Sequence, residues 1–91
     1  METNREILLS VVLPCRNEEA SIGKSIDVIL KIFFEYKISG EVIVSDSSTD
    51  DSPDIAKEKQ VVLISHNKDG YGNAYLEGFK PVKGKYIFMA D

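Results

Sequence analysis

Cysteine is almost missing from this chain. Cys15 is the single one in 91 residues, which excludes a disulfide framework and a cysteine-based zinc site and fits a reducing, cytoplasmic compartment. A basic stripe is missing too. The net charge is -4, and Lys80, Lys83 and Lys85 read as a solvated face, so nucleic acid is not an expected partner. No hydrophobic run is long: Ile7–Leu13 is broken by Ser10 and falls far short of the roughly 20 apolar residues that cross a bilayer. The polar start, Met1 to Glu6, carries both charge signs and is unlike a secretory signal. Low-complexity segments and internal repeats are absent. The expectation is a soluble, cytoplasmic chain, with the cytoplasmic membrane face as the place of a longer parent.

What is present is an ordinary globular composition, 43% hydrophobic and 29% charged. A chain of this length buries about 60–65% of its unfolded surface, enough for one modest core. Strand-like and helix-like patterns alternate. Ile7–Leu13 is apolar and rich in β-branched residues, as in a strand buried on both faces of a parallel sheet, with Pro14 ending it. From Glu18 to Tyr36, Ile22, Ile26, Ile29, Leu30 and Phe33 keep a helical period, with Asn17 as N-cap and Ser39-Gly40 as stop. Strands are predicted at Glu41–Ser45, Val61–Ser65 and Tyr86–Ala90. Helices are predicted from Ser52-Pro53 to Lys59, with Ser52 as N-cap, and from Asn73 to about Lys80. The order βαβαβαβ predicts a Rossmann-like α/β/α domain with a mostly parallel sheet. The whole of 1–91 reads as a single domain. Because Asp91 follows an apolar strand directly, the chain reads as the front part of a longer domain.

In such sheets ligands bind beyond the carboxyl ends of the strands, where strand order reverses. The segments to search are therefore Pro14–Glu19, Asp46–Asp51, His66–Asn73 and Asp91. A dinucleotide fingerprint needs glycine after the first strand; Pro14-Cys15-Arg16-Asn17 has none, and no Walker lysine follows a glycine loop. Asp46 is either an acceptor for a base or ribose or a turn aspartate. Asp50 reads as a turn or capping residue. Asp91 can ligate a hard cation or be a plain exposed carboxylate. Arg16 and Lys68 can neutralise phosphate or sit in solvent. His66 reads as solvent-facing or hydrogen-bonded at a strand end, and Cys15 as a small packing residue. Gly78 suggests a close backbone contact with the sheet.

Four motifs in order then carry a resemblance. Val11-Val12-Leu13-Pro14-Cys15-Arg16-Asn17-Glu18-Glu19 resembles the opening V-[IV]-[IL]-P-x-[YFR]-N-E-E of family 2 glycosyltransferases with the GT-A fold. Val44-Ser45-Asp46-Ser47-Ser48-Thr49-Asp50 is similar to their V-D-D-G-S-T-D, with Ser45 and Ser47 in place of an aspartate and the glycine. Gly70–Phe79 looks like dolichyl-phosphate mannose synthase-like members, and Gly84–Asp91 resembles the strand entering their D-x-D metal motif.

The resemblance implies roles. Pro14, Arg16 and Glu18 would line a nucleoside pocket, with Asn17 shaping the turn. Asp46 would contact base or ribose, Lys68 and the Gly70–Gly72 loop would lie near the nucleotide, and Asp91 would hold Mg²⁺ or Mn²⁺. The implied reaction moves a sugar, with inversion, from a GDP- or UDP-sugar to a polyprenyl (dolichyl) phosphate or a glycan. No catalytic base is expected within the chain, which by itself should be inactive. A different class of reading is a non-catalytic nucleotide-binding or self-associating module, a homodimer through the exposed edge of the fourth strand.

Overall fold

The computed structural model describes residues 6–90. Seven elements alternate: β1 (Leu9–Cys15), α1 (Ile22–Glu35), β2 (Gly40–Asp46), α2 (Ser52–Lys57), β3 (Val62–Ser65), α3 (Tyr71–Phe79) and β4 (Tyr86–Met89). Every strand pairing is parallel, and the sheet order is β3-β2-β1-β4. The chain steps outward from β1 to β3, then returns over β2 and β1 to place β4 on the far side. Right-handed crossovers turn that reversal into a change of face. Accordingly α1 and α2 pack on one side, and α3 packs on β1 and β2 from the other. The fold class is the three-layer one that the alternation predicts.

The core follows from the pleat, which sends alternate strand residues to opposite faces. Val11, Leu13 and Cys15 of β1 and Val42 and Val44 of β2 meet Ile22, Ile26 and Phe33 of α1 and Ala56 of α2. Val12 and Ile43, both fully buried, face the α3 side. There Gly78 brings α3 close. A Cβ on it would lie 2.6 Å from Val12 Cγ1 and 3.2 Å from Ser45 Cβ. Ser10 is buried yet satisfied, its hydroxyl donating to Glu41 Oε2 (2.6 Å) and accepting from the Gly84 N–H (2.8 Å).

Element boundaries differ from the predicted ones for identifiable reasons. β1 runs through Pro14 rather than stopping before it. The Leu8 and Val12 carbonyls accept from the Tyr86 and Ala90 N–H groups, so by the period of two the Pro14 nitrogen also faces the β4 side. The last β1–β4 pair is Val12–Met89; the next rung would need a Pro14 N–H for the Ala90 carbonyl, which accepts from Tyr75 Oη instead. Asn17 is not the N-cap of α1; Ser21 holds that position, and Asn17 adopts a left-handed φ of 55°. The stop of α1 comes before Ser39-Gly40. Lys37 takes a φ of 56°, with Ile38 N–H bonding to Phe33 O and Lys37 N–H to Phe34 O, the Schellman pattern. Gly40 opens β2 instead. At α2 the N-cap is Asp51, and Ser52 is the first helical residue. α3 starts two residues before Asn73, from Gly70, whose φ of 86° favours glycine. Among the described residues β4 is an edge strand, and Tyr86, Ile87, Phe88 and Met89 are all exposed.

On α3, Glu77 accepts from Lys68 Nζ at 2.6 Å and Lys80 Nζ at 3.0 Å. The hydrogen bond from Lys68, then that from Lys80, hold its carboxyl at about 2 against an ordinary 4.5. A depressed folded-state pKa stabilises the fold above the unfolded value and loses that contribution as pH falls through the folded one. The stability advantage of the wild type over Glu77→Gln is therefore expected to shrink as pH drops from 4.5 towards 2. Urea titrations followed by circular dichroism read this, and a gap independent of pH in that range would reject the ion pairs as its source.

Candidate functional site

The strand register places Cys15, Asp46 and Ser65 at one level, at the carboxyl ends of β1, β2 and β3. Above that level the loops after β1 and β2 are stitched together. Asn17 Oδ1 accepts from the backbone N–H groups of Thr49 (2.8 Å) and Asp50 (3.1 Å), while its own N–H donates to Ser48 Oγ (2.7 Å). The Glu18 N–H donates to Ser52 Oγ at 2.8 Å, and the Asp51 N–H to Glu19 Oε1 at 2.9 Å. A side-chain amide in a left-handed residue suits this reciprocal loop bonding better than it suits a helix cap. Asp50 accepts from the Ser52 and Glu19 N–H groups. Desolvation, the largest single cause, raises its pKa, but the bonds from Ser52 and Glu19 together outweigh it and leave the carboxyl below its ordinary range.

Between these loops and the start of α3 lies an open pocket of about 260 Å³, lined by Pro14, Cys15, Arg16, Glu18, Ser47, Gly70, Tyr71 and Ala74. Ligand pockets for drug-sized molecules run from roughly 300 to 1,000 Å³, so this one holds only part of a ligand of that size. Its lining joins a guanidinium, a carboxylate, an aromatic ring and a proline on a largely apolar floor. Arg16 Nη1 donates to Asp69 Oδ1 at 2.6 Å across the gap between the two loops.

Of the residues expected at a site, Pro14, Arg16, Glu18 and Gly70 come together in this lining. Asn17 stands behind it, pinning the loops. Asp46 is 3% exposed, and both its oxygens accept from Ser48, Oδ1 from the hydroxyl at 2.7 Å and Oδ2 from the N–H at 3.1 Å. Lys68 points to Glu77 rather than to the pocket. Asp91 lies outside the described residues. Ser45, which departs from the family motif, has its hydroxyl buried and donating to Ala74 O at 2.6 Å, so it fastens α3 to the sheet instead of offering a group to a base.

His66 Nδ1 accepts from the Lys68 N–H at 3.1 Å, which puts its own hydrogen on Nε2. Burial is the main cause that pushes the Cys15 thiol up to about 11, so it is no nucleophile at neutral pH. Ser47, Tyr71 and Ala74 were given no site role from the sequence, although Ser47 stands out as a departure from its motif and Tyr71 and Ala74 lie within Gly70–Phe79.

Among the described residues no group of three His, Cys, Asp or Glu side chains is placed to hold a metal ion. The described part of the site does not by itself fit a cation.

The comparison that decides the family covers nearly the whole chain: the sequence pattern of Glycosyl transferase family 2 matches residues 10–91. The chain belongs to that family. The low-salt glycan biosynthesis hexosyltransferase Agl6 of Haloferax volcanii is 46% identical over 83 residues, spanning 91% of this chain and 20% of the relative. The dolichyl-phosphate beta-glucosyltransferase of Saccharomyces cerevisiae is 35% identical over 104 residues, spanning 99% of this chain and 31% of the relative. The chain thus corresponds to between a fifth and a third of the length of these relatives. Its fold matches the crystal structure of mannosyl-3-phosphoglycerate synthase from Rubrobacter xylanophilus with a TM-score of 0.80, at 22% identity, over 89% of this chain and 29% of that one. At that identity the match speaks for the fold alone, and the fold is the GT-A type that the four motifs imply. Among the described residues no helix is long and apolar enough to cross a membrane.

Proposed function

We propose that this family 2 chain is the donor-binding portion of a hexosyltransferase, its pocket receiving the nucleoside end of a GDP- or UDP-sugar. One observation carries the reading. Pro14, Arg16 and Glu18 of one motif and Gly70 of another, more than fifty residues apart in sequence, line one pocket at the carboxyl ends of β1 and β2. Each residue has a task suited to its chemistry. Glu18 accepts from ribose hydroxyls or base N–H groups, Arg16 offers a planar fork to phosphate, and Pro14 and Tyr71 give apolar surface to the base. Asn17 and Asp46 serve from behind the pocket by fixing its loops, and Lys68 lies on the flank of α3.

The acceptor in this reading is a polyprenyl phosphate, supported by the likeness to the yeast dolichyl-phosphate beta-glucosyltransferase. One of its phosphate oxygens forms the new bond to the sugar's anomeric carbon as the bond to the nucleoside diphosphate breaks, with inversion. An anionic acceptor needs little help from a general base. Dependence on Mg²⁺ or Mn²⁺ is proposed from the sequence position of Asp91 alone.

The test is a titration of the chain with GDP and UDP, with and without Mn²⁺, followed by calorimetry and NMR. Binding that shifts the Arg16, Glu18 and Gly70 amides supports the reading; no binding up to the millimolar range rejects it. A second reading, self-association through β4, is favoured by the exposure of Tyr86, Ile87, Phe88 and Met89 on the sheet edge. Sedimentation of the same samples decides it, a strict monomer at high concentration counting against the edge.

A further inference from the structure

The loops after β1 and β3 face each other across the pocket, and among the described residues one hydrogen-bonded contact links them: Arg16 to Asp69, at 2.6 Å. The loop after β1 is otherwise tied to the loop after β2, through Asn17. The loop after β3 is otherwise tied to α3, through Asn73 Nδ2 donating to Asp69 O and through Lys68 and Glu77. Both partners of the linking pair are open to solvent, 56% and 88% exposed, and the guanidinium bonds through one nitrogen to one carboxylate oxygen. Asp69 adjoins Gly70, whose φ of 86° makes it a natural pivot between loop and helix.

Resting on the nucleotide reading of the pocket, we propose that Asp69 is an internal competitor for the nucleotide's phosphate. In the empty pocket its carboxylate occupies Arg16. A nucleoside diphosphate binds by taking over the guanidinium, and the loop bearing Asp69 swings away at Gly70. Carboxylate and phosphate compete for the same planar fork of N–H donors. The phosphate wins because it brings more charge, and because an exposed carboxylate pair is held only weakly. The contact withholds the guanidinium from weakly charged ligands and yields it to a diphosphate.

The test is a double-mutant cycle on the chain, with UDP and GDP as probes in the presence of Mn²⁺. Asp69→Asn is expected to tighten binding by about two- to fivefold, the worth of an exposed ion pair, and Arg16→Ala to weaken it. In the Arg16→Ala background, adding Asp69→Asn should bring no further gain. An equal or weaker affinity for Asp69→Asn alone overturns the proposal, because Asp69 then positions Arg16 instead of competing for it. So does a gain that persists without Arg16, which is charge repulsion acting through space. Absence of binding by every variant, wild type included, removes the nucleotide reading itself and is thereby distinguishable from failure of the competition.

Discussion

Ile26→Ala is expected to destabilise the domain by about 2–5 kcal/mol, the usual range for emptying a fully buried aliphatic site. Ile26 has no exposed surface and sits among Val11, Leu13, Val42 and Val44 in the cluster that joins α1 to the sheet. Domains hold about 0.05–0.15 kcal/mol of stability per residue, so a chain of 91 residues has roughly 5–14 kcal/mol in all. Losing up to 5 takes a large share. Relaxation is limited, because the pleated strands on one side and α2 on the other cannot both move inward. Ile26→Val, which removes one methylene, should cost about 0.5–1.5 kcal/mol. Urea unfolding followed by circular dichroism measures both. If the alanine variant loses under 1 kcal/mol, α1 is not docked as described.

The elements were legible in the sequence because their periods are. The β-branched run of β1 and the three-to-four spacing of Ile22, Ile26, Ile29 and Phe33 both follow from burial, and alternation of types left few topologies to consider. Boundaries were less legible where tertiary bonds compete with local preference. Asn17 looks like a cap until the β2–α2 loop arrives with two N–H groups for its side chain. Pro14 looks like a strand end until β2 is seen to pair on through Cys15, the lost N–H falling only on the β4 side. The open edge of β4 was expected but its bare faces were not, because an apolar run does not say what covers it.

The site divides in the same way. Parallel strands deliver their following loops to one rim, which marked the segments Pro14–Glu19 and His66–Asn73, and the resemblance to the family motifs then named Pro14, Arg16, Glu18 and Gly70 within them. Asp69 and Tyr71 gain meaning only when the loops after β1 and β3 are brought face to face, and no local pattern encodes that meeting.

Asp46 separates the two kinds of information most sharply, and its replacement is the second large effect expected. Asp46→Ala removes the acceptor of both the Ser48 hydroxyl and the Ser48 N–H, at a position only 3% exposed. Orphaning such donors costs about 1–3 kcal/mol. The damage should not stop there, because Ser48 Oγ also accepts from the Asn17 N–H at 2.7 Å. A displaced Ser48 loosens the segment that carries Arg16 and Glu18. Acting as a support, Asp46 therefore predicts that Ser48→Ala also lowers both stability and nucleotide affinity, and that the double variant does little more than Asp46→Ala alone. A carboxylate that instead touches the base predicts a different pair of results: Ser48→Ala binds GDP or UDP as the wild type does, and Asp46→Asn loses affinity while unfolding at the wild-type urea concentration. The buried carboxylate with both oxygens engaged by Ser48 favours the first outcome. Urea unfolding and nucleotide titration of the three single variants and the double one separate the two.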